Sequence, residues 1–428
     1  MLLPALLTDL LFAGKERDAE IAVEESNPAM SDLLRRYGEA ILQKAGQGGR
    51  MNVNADRKAI LRGADCVLYA GDPQAASRFA MDRSALGSDR EEEGDSGLTD
   101  QARVNGGIGG LMHALRAGTA VFRLCDEMAE SCPEALVINL GQPVARTTEL
   151  FVRRGFRCYG LGDSPLRGPI GLEAIRKLLK TDGKKEEAVI AGLPGFAFLL
   201  SLKEDGQDKM PRLRRAVREG KLGNLSRRWL NWWDAVPVGD ATAHAEFLPA
   251  QPDYIPAERP SFGESVERRK ERILYMNTVA EQGADAREGA MAQLLLLSKA
   301  PAARPVQLAL AVLRRESVTL PAVVRKNRGE LPQLPEEAVI EADLTLRDGR
   351  EIPHGTLLPA SLAEAMREID EANRLAAEAA AGDRQALREY VETDPALAGL
   401  DRLYCQEVVE ALIRLHADML GEETTEQT

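Results

Sequence analysis

The residues best suited to chemistry stand in a few short stretches. His244-Ala-Glu246-Phe247 opens a Pro-rich irregular run over 234–260, with Tyr254 further along it. An imidazole, a carboxyl and a phenol in one loop could exchange protons with a bound substrate. Asp163, in Gly160-Leu-Gly-Asp-Ser164, could accept a hydrogen bond from a ligand hydroxyl; a helix N-cap or loop carboxylate is the competing reading. Glu24 and Glu25 end a short β-like run, 18–25. A dinucleotide-binding sheet carries its ribose-holding carboxylate at such a strand end, and exposed strand-end carboxylates are the competing reading. The pairs Gly106-Gly107 and Gly109-Gly110 could turn backbone N–H groups toward an anion. They follow no strand directly, so a tight turn into a helix is the better reading. Trp229, Trp232 and Trp233 cluster in a chain with 4% aromatics. They could stack on a sugar, although near-helical spacing favours core or a subunit interface. His113, His354 and His416 give no pattern of their own.

The elements that must hold these residues alternate strand with helix. The apolar leucines of Met1–Phe12 fall at i, i+3, i+4 and i+7, as in a half-buried helix. Carrying Asp9 and no basic flank, the segment does not read as a secretion signal, and it is too short to span a bilayer. A helix over 31–44, a strand over 51–54, a helical turn over 57–61 and a buried strand over 64–70 follow. Residues 72–99, with the acidic run Glu91–Glu93, read as a polar loop. Helix over 116–131, strand over 134–140, helix over 144–154 and strand over 158–161 complete a pattern that implies a parallel doubly wound sheet. Such a sheet normally begins with a central strand and a Gly-rich turn, and no such turn precedes Ala5. Two explanations stay open, a start upstream of the one recorded, which is preferred, or a broken sheet. Beyond 165 we expect a basic helix over 212–228, one or two long helices over 264–299, a strand over 338–346, amphipathic helices over 361–381 and 403–419, and a polar tail at 422–428.

Length and composition set the bounds. The chain has 428 residues and a formal net charge of -12, with 29% charged and 44% hydrophobic residues, which suits a globular protein with a substantial core. No basic stripe points to nucleic acid, and no apolar run is long enough to cross a membrane. Cys66, Cys125, Cys132, Cys158 and Cys405 form no CxxC pair, so buried free thiols and a cytoplasmic location are expected.

Several segments in order resemble the family-4 glycoside hydrolases, which share a fold with lactate and malate dehydrogenases. Arg62-Gly-Ala-Asp-Cys-Val67 is similar to the family's Gly-Ala-Asp strand start. Asn105-Gly-Gly-Ile-Gly-Gly-Leu-Met-His-Ala-Leu-Arg116 resembles its Gly-rich approach to a long helix, and Cys132-Pro-Glu-Ala-Leu-Val-Ile-Asn139 its Cys-Pro-Asp-Ala strand. Residues 196–213 resemble its helix-turn segment after the metal histidine. Asn327-Arg-Gly-Glu-Leu-Pro-Gln-Leu-Pro335 resembles its Asn-x-Gly-x-Ile-x-Asn-Leu-Pro signature, and Asp394-Pro395 its late Asp-Pro. The resemblance implies an α/β protein. A Rossmann-like domain over 1–165, lacking its first strand, would be followed by an α+β domain over 166–421 and a disordered tail over 422–428, in a homodimer or homotetramer. It also implies NAD and a divalent metal such as manganese as cofactors and a sugar or glycoside as the small-molecule partner. The family reaction oxidises C3, deprotonates C2 and eliminates the leaving group, so it needs no pair of carboxylates.

The resemblance fails at the chemistry. The family's metal cysteine aligns with Gly162, its metal histidine with Pro194, and its catalytic tyrosine with Phe247. None of these side chains binds a cation or exchanges a proton. Gln142 takes the place of a substrate-facing Asn, with Asn139 beside it, while Tyr69 and Gly71 join Glu24 and Glu25 as cofactor-binding candidates. Two readings follow. One is a diverged sugar- or nucleotide-binding homologue without metal-dependent chemistry. The other is an active NAD-dependent glycosidase using Asp163, His244, Glu246 or Tyr254 as substitutes. A plain 2-hydroxy-acid dehydrogenase would need a paired Arg and His, which is not found.

Overall fold

A computed structural model of the chain describes residues 20–44, 50–71, 75–87, 98–162, 164–249, 266–282 and 305–420. The expected helix at 1–12, the tail at 422–428, Asp163 and Tyr254 lie outside them.

The N-terminal part alternates as the hydrophobic pattern requires. It runs β1 (Glu20–Glu24), α1 (Pro28–Lys44), β2 (Arg50–Asn54), α2 (Arg57–Leu61), β3 (Cys66–Tyr69), α3 (Ala75–Ala85), α4 (Gly107–Ser131), β4 (Leu136–Asn139), α5 (Val144–Arg153) and β5 (Cys158–Leu161). β4 and β5 are buried throughout, as parallel strands covered on both faces must be. There follow α6 (Leu172–Leu179), β6 (Glu186–Leu193), β7 (Phe196–Glu204), β8 (Gln207–Asp208), α7 (Met210–Arg218), α8 (Gly223–Trp233), β9 (Val236–Val238), α9 (Ala241–Glu246), α10 (Val266–Gln282), α11 (Pro305–Leu313), β10 (Val318–Lys326), β11 (Val339–Arg347), β12 (Arg350–Glu351), α12 (Ala360–Ala380), α13 (Arg384–Thr393) and α14 (Arg402–Leu415).

Two sheets result. β1 and β2 pair in parallel as a separate two-stranded sheet, while the other strands form one ten-stranded sheet in the order β3-β4-β5-β10-β11-β6-β7-β8, with β12 on β11 and β9 on β7. β3, β4 and β5 are parallel; from β10 onward the pairing is antiparallel. No ladder joins β1 to β3 among the described residues, so the break expected where a central strand would lie is present. The large sheet crosses the expected domain boundary at 165, because β5 pairs with β10 through Leu161↔Val323 and Gly160↔Val324. The N-terminal region is thus Rossmann-like and shares its sheet with the α/β region that follows.

Several expected elements take a different form. α4 begins at Gly107 and not at Arg116, because the loop 101–105 folds back over its first turn. A Cβ on Gly110 would stand 2.6 Å from the Asn105 carbonyl, so glycine is retained there against helix propensity. The helix start is closed to anions by the protein itself, since Gly107 N–H donates to the Asp394 carboxylate at 2.8 Å, so the Gly-rich turn is a packing device. The polar loop expected at 72–99 contains α3. Its Phe79 is buried, and its Asp82 accepts from Arg116 at 2.8 Å and faces His416 Nε2 at 2.6 Å. The single basic helix at 212–228 is two helices, broken where Gly220 and Gly223 take φ of +79° and +84°. Residues 196–213, expected as helix and turn, are β7, a hairpin to β8 and the start of α7. Trp229 and Trp233 are core, while Trp232 is 55% exposed. The five cysteines are free, Cys66 half-buried and the others buried. No helix among the described residues is long and apolar enough to cross a membrane.

Candidate functional site

One of the positions that the sequence marks as altered, Gly162, borders a buried carboxyl, that of Glu341. Gly160, Val324, Glu341 and Gly192 form a row across β5, β10, β11 and β6. Glu341 is 2% exposed, and its Oε2 has no hydrogen-bond partner. Gly162 lies just past β5. A Cβ built on it would stand 3.7 Å from Glu341 Oε1. β6 and β7 are joined by the two residues Pro194-Gly195, since Leu193 pairs with Phe196. Proline followed by a glycine at φ +80° is the sequence of a type II turn. The Gly195 N–H bonds the Glu341 carboxyl. A Cβ on Gly195 would sit 3.4 Å from the Phe247 ring and 3.8 Å from Asn105 Oδ1. Gly195, more than Pro194, therefore occupies the hairpin position that faces the site.

The far wall is built by α9 and the loop before α4. Glu246 is buried, and its Oε2 accepts from Val104 N at 3.2 Å, Asn105 N at 3.0 Å and Asn105 Nδ2 at 2.7 Å. Arg103 Nη1 binds the carbonyls of Glu246 and Leu248. Gly106 is glycine because a Cβ there would collide with the Glu246 carbonyl. Phe247 is 2% exposed, and its ring centroid lies 5.7 Å from that of Phe196.

Burial dominates the titration of these groups. It raises Glu341 to about 8 against the hydrogen bond from Gly195, and Glu246 to about 7 against those from Val104 and Asn105. His244 is pushed down to about 4 by burial. Its Nε2 bonds the Val238 carbonyl at 3.1 Å, and its ring packs on Phe196 and Phe198.

The candidate residues separate accordingly. Glu246 is in the cluster as the clamp that fixes Asn105. His244 is a buried histidine on α9 whose ring packs on β7, and its Nδ1 has no hydrogen-bond partner among the described residues. Asn139 is engaged within the turn from β4 into α5. It is fully buried, donates to Thr147 Oγ1 at 2.7 Å and Thr148 Oγ1 at 2.9 Å, and accepts from Gly141 N at 2.9 Å. Gln142 is exposed on the same turn. Tyr69 and Gly71 pack on each other, since a Cβ on Gly71 would collide with the Tyr69 ring and one on Gly141 would stand 2.6 Å from it. Glu24 is held at both oxygens by Arg57, at 2.8 and 2.9 Å, while Glu25 accepts from Asn27 N at 2.9 Å. Glu341 and Asn105 carried no functional reading from sequence. The available signal was a carboxylate inside the otherwise apolar run Ala338-Val-Ile-Glu-Ala342.

Residues 16–167 match the family described as Family 4 glycosyl hydrolase, and residues 190–397 match its C-terminal domain. The chain belongs to glycosyl hydrolase family 4. An alpha-galactosidase of Bacillus subtilis is 27% identical over 198 residues, 46% of this chain and 42% of that protein. An alpha-glucosidase of Erwinia rhapontici is 27% identical over 136 residues, 32% of this chain and 29% of that protein. The matched stretch spans less than half the length of either relative. In shape, the chain is similar to a 6-phospho-alpha-glucosidase from gut microorganisms solved with NAD and Mn2+, with a TM-score of 0.72 at 15% identity, covering 97% of this chain and 96% of that one. The complex of a gut-microorganism 6-phospho-alpha-glucosidase with NAD and glucose-6-phosphate gives 0.74 at 14% identity, over 98% and 96%. These likenesses establish the family-4 fold.

Among the described residues, the donors around Glu341 do not fit a resident divalent cation. Gly162, Pro194 and Gly195 offer no side-chain ligand, and no group of three or more His, Cys, Asp or Glu that could hold a metal occurs among the described residues. Toward a dinucleotide, the described residues offer the carboxylate at the end of β1, already engaged by Arg57.

Proposed function

We propose that this family-4 protein binds a sugar, or a sugar together with a nucleotide, without the metal-dependent bond cleavage associated with the family. The observation that carries this reading is Phe247. It is buried against Gly195, where the family resemblance places a proton-exchanging tyrosine. A phenyl ring keeps the shape of that wall and removes its acid–base chemistry. Gly162 and Pro194, where the family resemblance places the metal cysteine and histidine, offer a cation no side-chain ligand.

Two measurements test it together. Turnover is followed with p-nitrophenyl α- and β-glucosides, the corresponding galactosides and their 6-phosphates, with NAD and manganese chloride present. Calorimetric titration follows glucose 6-phosphate, NAD and Mn2+ separately. The expected result is sugar binding without release of p-nitrophenol and without an effect of Mn2+. Release that depends on both NAD and Mn2+ would replace this reading with the active glycosidase, whose substitutes would then be sought at Asp163 and Tyr254.

A further inference from the structure

We propose that the turn at His416 and the short helix after it form an acid-sensitive latch, which holds α3 against α4 and releases it when the imidazoles of His113 and His416 take up protons.

The latch is a set of buried charges drawn from both ends of the chain. Past α14 the chain turns at His416 and ends its described part in a short helix, α15 (Ala417–Leu420). On α3, Asp82 accepts from Arg116 of α4 at 3.1 and 2.8 Å and from His416 Nε2 at 2.6 Å. Asp82, Arg116 and His416 are all buried. One turn earlier on α3, Arg78 binds the Asp418 carboxylate through both terminal nitrogens and reaches His416 Nδ1 at 3.4 Å. Phe79 packs on the ring of His113 from α4, with 5.8 Å between centroids. Among the described residues α3 buries Arg78, Phe79 and Asp82, so two of the three groups that hold it are charged.

Donor and acceptor chemistry fixes the state of His416. A guanidinium only donates, so Nδ1 accepts from Arg78. An ionised carboxylate only accepts, so Nε2 carries the hydrogen that Asp82 receives. Burial opposes the charge on Asp82, but the hydrogen bond from His416 and the Arg116 guanidinium hold its carboxyl below the ordinary value. His416 is therefore neutral in the closed latch, where two guanidinium charges face two carboxylates. A proton on Nδ1 would point at the Arg78 guanidinium and leave a surplus positive charge in a buried place, which is costly. His416 can take up that proton only after Arg78 has left it.

His113 stands under the same constraint. Burial first, and then Arg116, push it down to about 3, with Asp82 opposing. The charged groups that face the two rings are Arg78 and Asp82 from α3, Arg116 from α4, Arg146 from α5 and Asp418 from α15. A base held below its ordinary value of about 6.5 favours the closed state above that value, and the advantage is lost as pH falls from there. Release of α3 uncovers both rings. Each then gains one proton below about pH 6.5, so the open fraction rises about tenfold per pH unit for each histidine. The opening is local, because the apolar core around β4 and β5 holds no part of the latch.

The test is hydrogen exchange read by mass spectrometry on the full chain at about pH 7.5 and about pH 5.5, on either side of the ordinary histidine value. Rates are corrected for the intrinsic effect of pH. In wild type, peptides covering 76–87 and 412–420 should lose protection together on acidification, by roughly a hundredfold, while β4 and β5 keep theirs. His416→Gln retains an amide donor for Asp82 and an acceptor for Arg78 without titrating, and the loss should shrink to roughly tenfold. His113→Gln should shrink it likewise, and the double variant should show no dependence on pH. A second measurement needs no variant: nitrogen-15 NMR of wild type at the higher pH should show His416 as the neutral Nε2–H tautomer. An imidazolium there, or protection at 76–87 that falls as pH rises, would overturn the proposal. Protection at 76–87 that is lost while 412–420 keeps its own would show that the chain end is not the latch. Equal loss in β4 and β5 would show global unfolding in its place. An undiminished dependence in the double variant would assign the effect to other groups.

Discussion

Asn139 and Glu341 are buried polar side chains on the same sheet, with β5 and β10 between their strands. Their surroundings could hardly differ more. The Asn139 amide donates to two threonine hydroxyls and accepts from Gly141 N–H, so it closes the turn from β4 into α5. Glu341 has one backbone donor and an oxygen that meets nothing. Both positions look alike in sequence, each a polar residue in an apolar strand. The satisfied group explains itself as structure, while the unsatisfied one is stable only if its cost is offset by a ligand or tolerated for one. The hydrogen bonds of Asn139, a substrate-binding candidate in the sequence, thus serve the turn, whereas Glu341 drew no functional reading from motif matching.

The largest expected effect tests the satisfied side of that comparison. Asn139→Leu removes the amide's hydrogen bonds to Val144 O, Thr147 Oγ1 and Thr148 Oγ1 and takes the acceptor away from Gly141 N–H, while Thr147 keeps its own donation to the carbonyls of Gly141 and Pro143. Urea unfolding should show a loss of about 3 kcal/mol, the sum of several buried bonds at about 1 kcal/mol each. Glu341→Leu should cost nothing by the same measurement. Equal losses in the two variants would erase the distinction between scaffold and site.

A second substitution converts the unsatisfied region into a satisfied one. Gly162→Cys with Gly195→His adds a thiol at the position beside Glu341 and an imidazole at the one beside Phe247 and Asn105, and neither new Cβ comes closer than 3.4 Å to another described residue apart from its chain neighbours. The φ of +80° at residue 195 will cost the double variant about 1–2 kcal/mol before metal is added. Cobalt(II) should then give a thiolate-to-metal absorption band that wild type lacks. Zinc at a hundredfold excess over its dissociation constant should raise stability by about 2.7 kcal/mol. Absence of the band in a folded variant would show that residues 162 and 195 do not converge on one point.

The legibility of the chain follows from which forces act locally. The strand–helix alternation of 20–161, the strand now called β11 and the amphipathic helix α12 could be read because burial on fixed faces leaves a period in the sequence. The break between β1 and β3 was equally visible, as an element without its neighbour. What stayed hidden depended on contacts far along the chain. α3 reads as loop because its few buried groups, Phe79 and Asp82, find their partners in α4 and at His416. The Gly-rich start of α4 hides a helix, because those glycines answer to the loop 101–105 and to Asp394. Residues 196–213 were misread because resemblance supplied a helix where the alternation of the chain itself makes a hairpin. The altered residues could be named from motif order, but the hairpin's facing residue needed the φ of Gly195 and the contact of its N–H with Glu341.

The smallest expected effect lies at the break in the sheet. The two-stranded β1–β2 sheet is tied to the rest of the molecule by Arg57, which binds Glu24 at 2.8 Å and reaches Glu127 at 3.4 Å. These partners are partly exposed, so the bridge is screened by solvent, and Arg57→Ala or Glu24→Ala should each cost less than about 1 kcal/mol. The same pair separates two roles for Glu24. As a clamp with both oxygens committed, it has no strong acceptor left for a ribose hydroxyl, and titration with NAD should give the same result, within about twofold, in wild type and in both variants. As a ribose ligand, it would lose roughly tenfold in NAD affinity in Glu24→Ala and gain in Arg57→Ala, where the carboxylate is freed. Opposite shifts in the two variants would move Glu24 out of the satisfied class, where Asn139 stands.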